Sequence, residues 1–204
     1  MAVVEPFVAD LDLGDALART AGQGAAFVPE AMTAAFLQRL QPELEPGPFR
    51  ALPEEIGPVR QQTEGFELRG RPPGYPRLAE LRGALGRAVR EQGGGIRGLA
   101  SWRPNEISVQ RYRGGGVGIT PHLDGKRYRR LVAVFTTVGT AQFAICRDRA
   151  GELLEEWETF PGSLILRGPG LAGMRDGRPF HRVSGPQTGW RYSVGFRMDT
   201  RLRP

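Results

Sequence analysis

The 204-residue sequence has one cysteine, one lysine and two histidines, and each scarcity narrows what the chain does. Cys146 alone rules out an internal disulfide, and its apolar setting, Phe143-Ala144-Ile145-Cys146, suits a small buried hydrophobe. No run approaches the ~18 apolar residues of a membrane span, and residues 1–10 lack the basic start and apolar core of a secretory leader. These absences predict a soluble, cytoplasmic protein with no membrane association and no obligate protein partner. Because Lys126 is the only lysine, the net charge of +6 is carried almost wholly by arginine. That excess admits an anionic partner, nucleic acid or an anionic metabolite, and is equally met by an arginine-rich composition spread along the chain. The 29 glycines and 17 prolines disfavour long helices and point to many turns, hence to a β-rich fold.

The N-terminal half is mixed. Residues 10–40 read as two short helical pieces, the second from Pro29 to Leu40 with Met32, Phe36 and Leu40 on one face. Residues 42–76 are rich in Pro and Gly, with short strands near 59–63 and 66–68, and suit either a lid or a structural wrap. A clear helix begins at Pro76, carries Leu78, Leu81, Leu85 and Val89 on one face, and stops at Gly93-Gly94-Gly95. From Asn105 the pattern becomes short strands between turns, at 106–113, 131–138, 141–146, 152–157, 163–166 and 190–198. The expected fold is mainly β (α+β), a jelly-roll or barrel-like double sheet. It is one domain, with residues 1–104 as helical, loop-rich support and lid and residues 105–204 as the β core. The glycine run 114–118 lacks the Lys-Ser/Thr of a phosphate loop and reads as a turn.

The two histidines fall at telling places. In Ile119-Thr120-Pro121-His122-Leu123-Asp124, extended backbone sends His122 and Asp124 to the same side, and His181 lies fifty-seven positions beyond Asp124. Two imidazoles and one carboxylate form the facial triad that leaves metal positions open and suits non-haem Fe(II). Ten residues after His181, a final strand puts Arg191, Ser193, Gly195 and Arg197 on one face and Tyr192, Val194, Phe196 and Met198 on the other. A buried guanidinium calls for an anion, and its planar fork matches a carboxylate. The basic run Lys126 to Arg130 follows the first two ligands, and as a strand it either turns Arg127 toward the mouth of the site or forms a solvated edge.

The order H-x-D, a long interval, H, ten residues and R-x-S resembles the Fe(II)- and 2-oxoglutarate-dependent dioxygenases over residues 105–197. The resemblance implies a double-stranded β-helix in which His122, Asp124 and His181 hold Fe(II). Arg191 then binds the distal carboxylate of the co-substrate 2-oxoglutarate, Ser193 assists it, and O2 is the oxidant. Within that superfamily the chain is most similar to the AlkB-like branch. Val109-Gln110-Arg111-Tyr112 stands where that branch has its N-x-Y strand, and Arg191 to Arg197 resembles its closing R-x5-R. By that likeness Tyr112, with Gln110 in the Asn position, touches 2-oxoglutarate, and Arg197 lies nearer the iron and substrate. The implied reaction is hydroxylation or oxidative demethylation of a small molecule or an alkylated nucleic acid, with succinate and CO2 as co-products. The alternatives are a small-molecule hydroxylase of specialised metabolism and a non-catalytic, cupin-like metal-binding protein.

Overall fold

The computed structural model describes residues 4–70, 72–168 and 177–202. The N-terminal half supplies α1 (Gly14–Gln23), β1 (Ala25–Val28), α2 (Ala34–Leu44), β2 (Arg50–Ala51), β3 (Glu55–Ile56), β4 (Val59–Arg60), β5 (Glu64–Arg69) and α3 (Pro76–Gln92). The C-terminal half supplies β6 (Glu106–Arg113), β7 (Ile119–His122), β8 (Tyr128–Val138), β9 (Ala141–Cys146) and β10 (Leu153–Thr159). It closes with β11 (Leu164–Arg167), β12 (Phe180–Val183) and β13 (Trp190–Asp199). A major sheet runs β1-β11-β8-β13-β6-β5-β2, a minor sheet runs β10-β9-β12-β7, and β3 with β4 forms a separate hairpin. The mainly β, jelly-roll fold expected from the sequence is the one observed.

Hydrophobic patterning sets the layers. On β13, Val194 and Phe196 face outward with Ile107 and Val109 of β6, and the leucines of the three helices close over them in one buried cluster. In α3, Leu78, Leu81, Leu85 and Val89 are all fully buried, so this helix backs the major sheet. Each such side chain contributes roughly 1.5–3 kcal/mol by leaving water. The opposite face of the major sheet looks at the minor sheet across a smaller cluster that includes Tyr112, Ile119, Phe143 and Ile165. Strands of residues 1–104 and of 105–204 share the major sheet.

Three details depart from the expected pattern. Residues 25–28, taken within a helical stretch, form edge strand β1 against β11. Gly24 (φ 88) ends α1 and turns the chain directly into it. The second helix starts at Ala34 rather than near Pro29, because the Thr33 hydroxyl accepts from the Phe36 N–H as an N-cap, and its buried stripe is Phe36, Leu40 and Leu44. The run 126–130 is not one strand: Lys126 and Arg127 occupy a turn, and Arg130 (φ 72) breaks the alternation where the β13 to β8 register shifts.

Candidate metal centre

Strand pairing assembles the candidate metal site. β12 lies between β9 and β7, and His181 is the direct antiparallel partner of His122. Directly opposed residues put their side chains on the same face within reach of each other, and the imidazole centroids are 4.2 Å apart. Asp124, two residues past His122, reaches the same point from beyond the end of β7. One ligand atom from each of His122, Asp124 and His181 lies within 4.8 Å of the others.

The imidazoles are poised to bind through Nε2. His122 Nδ1 lies 2.9 Å from the Thr120 carbonyl oxygen and His181 Nδ1 lies 3.0 Å from that of Pro179. A carbonyl only accepts, so each Nδ1 carries the proton and each neutral ring keeps its Nε2 lone pair. Burial lowers both pKa values, His181 well below the ordinary histidine range with Arg167 adding to the effect, so both rings are neutral near pH 7. Burial alone would raise the Asp124 carboxyl. The Arg167 guanidinium, helped by Arg197, outweighs burial and holds it well below the usual carboxylate range. Two neutral imidazoles and one carboxylate are the donor set that a divalent ion of the Fe(II) type takes.

A cavity of about 250 Å3 adjoins the triad. The alternation of β6 and β13 fills its major-sheet wall, with Tyr112 opposite Arg191 and Gln110 opposite Ser193, all four lining the cavity. Arg191 is 2% exposed, donates to Thr136 Oγ1 at 2.9 Å, lies 5.3 Å from the Tyr112 ring centroid, and keeps a buried Nε with no partner. No carboxylate of the described residues lies within ion-pair distance of it. Its surroundings thus fit an incoming carboxylate better than a built-in one. The Tyr112 hydroxyl donates to Gln110 Oε1 at 3.2 Å, and burial raises its pKa against the pull of Arg191, so it is a neutral phenol.

Arg197 also lines the cavity but is spoken for. Its Nη1 lies 3.2 Å from the buried Glu106 carboxylate and 3.0 Å from the Tyr128 hydroxyl. Arg127 does not line the cavity: it stacks on Tyr128 and pairs with the buried Asp199 at 3.2 Å. At the opposite rim Ile56, Val59 and Gln61, from the β3–β4 hairpin and the residue after it, complete the wall.

Sequence reasoning missed Arg167. Its Nη1 is 2.8 Å from Asp124 Oδ2, and the same guanidinium donates to His181 Nε2. An ion taking that Nε2 lone pair leaves Arg167 with Asp124 alone. The signal was present in the alternation of Leu164-Ile165-Leu166-Arg167, which turns Ile165 and Arg167 toward the minor sheet. Ending the strand at Leu166 hid it.

No family model matches the sequence, and no curated protein does. Solved structures do match its fold. A prolyl-4-hydroxylase from Pseudomonas putida matches at TM-score 0.61 and 15% identity, over 93% of this chain and 100% of that one. A Trichoplax adhaerens prolyl hydroxylase, solved with a hypoxia inducible factor peptide fragment, matches at 0.62 and 12%, over 91% and 88%. An oxidoreductase of the 2OG-Fe(II) oxygenase family from Burkholderia pseudomallei matches at 0.63 and 14%, over 97% and 95%. Nearly full coverage with so little identity means that this chain has the fold of the 2-oxoglutarate and Fe(II) oxygenases.

Proposed function

We propose that the protein is an Fe(II)- and 2-oxoglutarate-dependent dioxygenase that hydroxylates, or oxidatively demethylates, its substrate. His122, Asp124 and His181 hold the metal, and Arg191 with Ser193 receives the distal carboxylate of 2-oxoglutarate. The observation that carries this reading is the pairing of the convergent triad with a buried guanidinium that has no carboxylate of its own among the described residues, both on one cavity. A jelly roll that only stored a metal would have no use for that guanidinium, which weighs against a silent cupin-like role.

Bound Fe(II) supplies the redox step, in which O2 oxidises 2-oxoglutarate to succinate and CO2 and delivers one oxygen atom to a C–H bond of the substrate. The chain's own residues orient and line the site. Thr120 and Pro179 fix the imidazole tautomers, and Tyr112 and Gln110 supply polar contacts beside the co-substrate. Ile56 and Val59 supply apolar lining to the cavity. The AlkB-like reading assigns Tyr112 and Arg197 to contacts with co-substrate and substrate, and takes alkylated nucleic acid as the target. A small-molecule substrate is the second reading, and a cavity of about 250 Å3 accommodates it.

The test is anaerobic reconstitution with Fe(II) and 2-oxoglutarate, followed by succinate release in air. The visible charge-transfer band of the chelate appears in the wild type. Arg191→Gln raises the KM for 2-oxoglutarate at least about tenfold, the scale of a lost charge-assisted pair. No band in the wild type, or an unchanged KM in the variant, contradicts the proposal.

A further inference from the structure

Among the described residues the cavity is lined by three guanidinium groups, Arg167, Arg191 and Arg197, and by one carboxylate, Asp124. Glu106, fully buried behind the lining, neutralises Arg197 at 3.2 Å. Two arginines therefore face a single carboxylate, and that carboxylate belongs to the metal triad. On the function proposed above, Asp124 and the 2-oxo acid end of the co-substrate balance the dication, and its distal carboxylate balances Arg191. Among the described residues, Arg167 is then the buried cation whose carboxylate, Asp124 at 2.8 Å, is shared with the metal. Its side chain is 6% exposed, and its Nε is buried with no hydrogen-bond partner. A buried cation that shares its only counter-ion is costly, whereas a planar guanidinium with an unused donor binds a second carboxylate well.

We infer that Arg167 is a substrate-binding residue and that the substrate is a small molecule carrying a carboxylate. The inference rests on the proposed oxygenase reading and narrows its substrate. Its place suits the role. Arg167 sits at the end of β11 with its Nη1 2.8 Å from the metal ligand Asp124, so a carboxylate held there lies beside the metal. Phe143, with its ring centroid 5.8 Å from the guanidinium carbon, and Val183 line the cavity nearby and offer apolar contact to the rest of a short carbon skeleton. The cavity volume of about 250 Å3 leaves room for a compact acid beside 2-oxoglutarate.

The experiment uses the full chain, loaded anaerobically with Fe(II) and saturating 2-oxoglutarate. It is titrated with the proteinogenic amino acids and with C3 to C8 aliphatic and aryl carboxylic acids, each against its carboxamide. Binding is read as a shift of the charge-transfer band without its loss, which separates a substrate-site ligand from one that displaces 2-oxoglutarate. Some acids shift the band and bind at least about tenfold more tightly than their amides, the ratio a charge-assisted hydrogen bond supplies. Arg167→Gln brings that ratio close to one, and Arg167→Lys keeps part of it. Should the glutamine variant fail to hold iron, the lysine variant and the wild-type acid-to-amide ratio decide. Amides binding as well as acids overturn the inference and leave the oxygenase reading standing, as does a preference that survives in Arg167→Gln. Turnover of a methylated oligonucleotide with every acid silent does the same, whereas a wild type that shows no band at all ends both.

Discussion

Asp124 has two duties that pull on different atoms. One oxygen is 2.8 Å from the Arg167 guanidinium, while the other lies 4.0 Å from His181 Nε2 on the side where the imidazoles converge. Replacing a metal-site carboxylate often relieves repulsion in a metal-free protein. Here it would strand a buried arginine. Asp124→Ala should therefore destabilise even the metal-stripped protein, by about 3–5 kcal/mol in urea unfolding, the usual penalty for breaking a buried pair from one side. An unchanged midpoint would mean that Arg167 finds water instead. The histidines make a second prediction at this scale. Burial lowers both folded pKa values, so the unfolded chain takes up protons below about pH 6.5 that the native state refuses. Stability is then flat above that pH and falls below it, with a slope approaching 1.4 kcal/mol per pH unit for each histidine. Urea midpoints of the metal-stripped protein between pH 7.5 and 5.5 check this, and His181→Asn should flatten the slope.

Residue-level signals also explain what was legible. The triad could be read from the chain because His122 and Asp124 sit two apart in extended backbone, and the Arg191 face because β13 alternates cleanly. Arg167 depends on which face of β11 meets the minor sheet, a property of pairing that a short apolar run does not disclose. Arg127 misled because a basic run beside metal ligands looks like a rim. A turn and a left-handed residue, Arg130, instead direct it to Asp199.

At the scale of elements, the candidate metal site is a consequence of His122 of β7 pairing with His181 of β12. The glycine-rich turn before β7 makes that possible. Gly118 has φ 76, and a Cβ there would collide with the Val183 carbonyl oxygen of β12. Glycine supplies both the left-handed backbone and the close approach that pull His122 opposite His181. Gly118→Ala touches no ligand, yet it should weaken metal binding at least about tenfold by shifting β7, with a loss of stability beyond the ~1 kcal/mol that left-handed strain alone costs. Calorimetric titration with Mn(II) measures it, and wild-type affinity in the variant would show that the register is set elsewhere. The missed strand β1 belongs to this scale too. Ala25-Ala26-Phe27-Val28 is too short to declare itself between two helices, and only β11 makes it a strand.

For the whole molecule, the division of labour between the two sheet faces is the organising fact. The outer face of the major sheet spends its residues on the helical core, which frees the inner face to carry Tyr112, Gln110, Arg191 and Ser193 toward the minor sheet that supplies the imidazoles. A layered β fold was readable from strand patterning, while the sharing of one sheet by both halves was not, because β5 joins β6 and β1 joins β11 across long sequence separations. The most direct test of the account is an anomalous difference map from crystals grown with Mn(II) and 2-oxoglutarate. The account predicts one ion bonded to His122 Nε2, Asp124 and His181 Nε2, with the co-substrate reaching from it to Arg191. An ion bound away from these three side chains, or 2-oxoglutarate oriented away from Arg191, would contradict it.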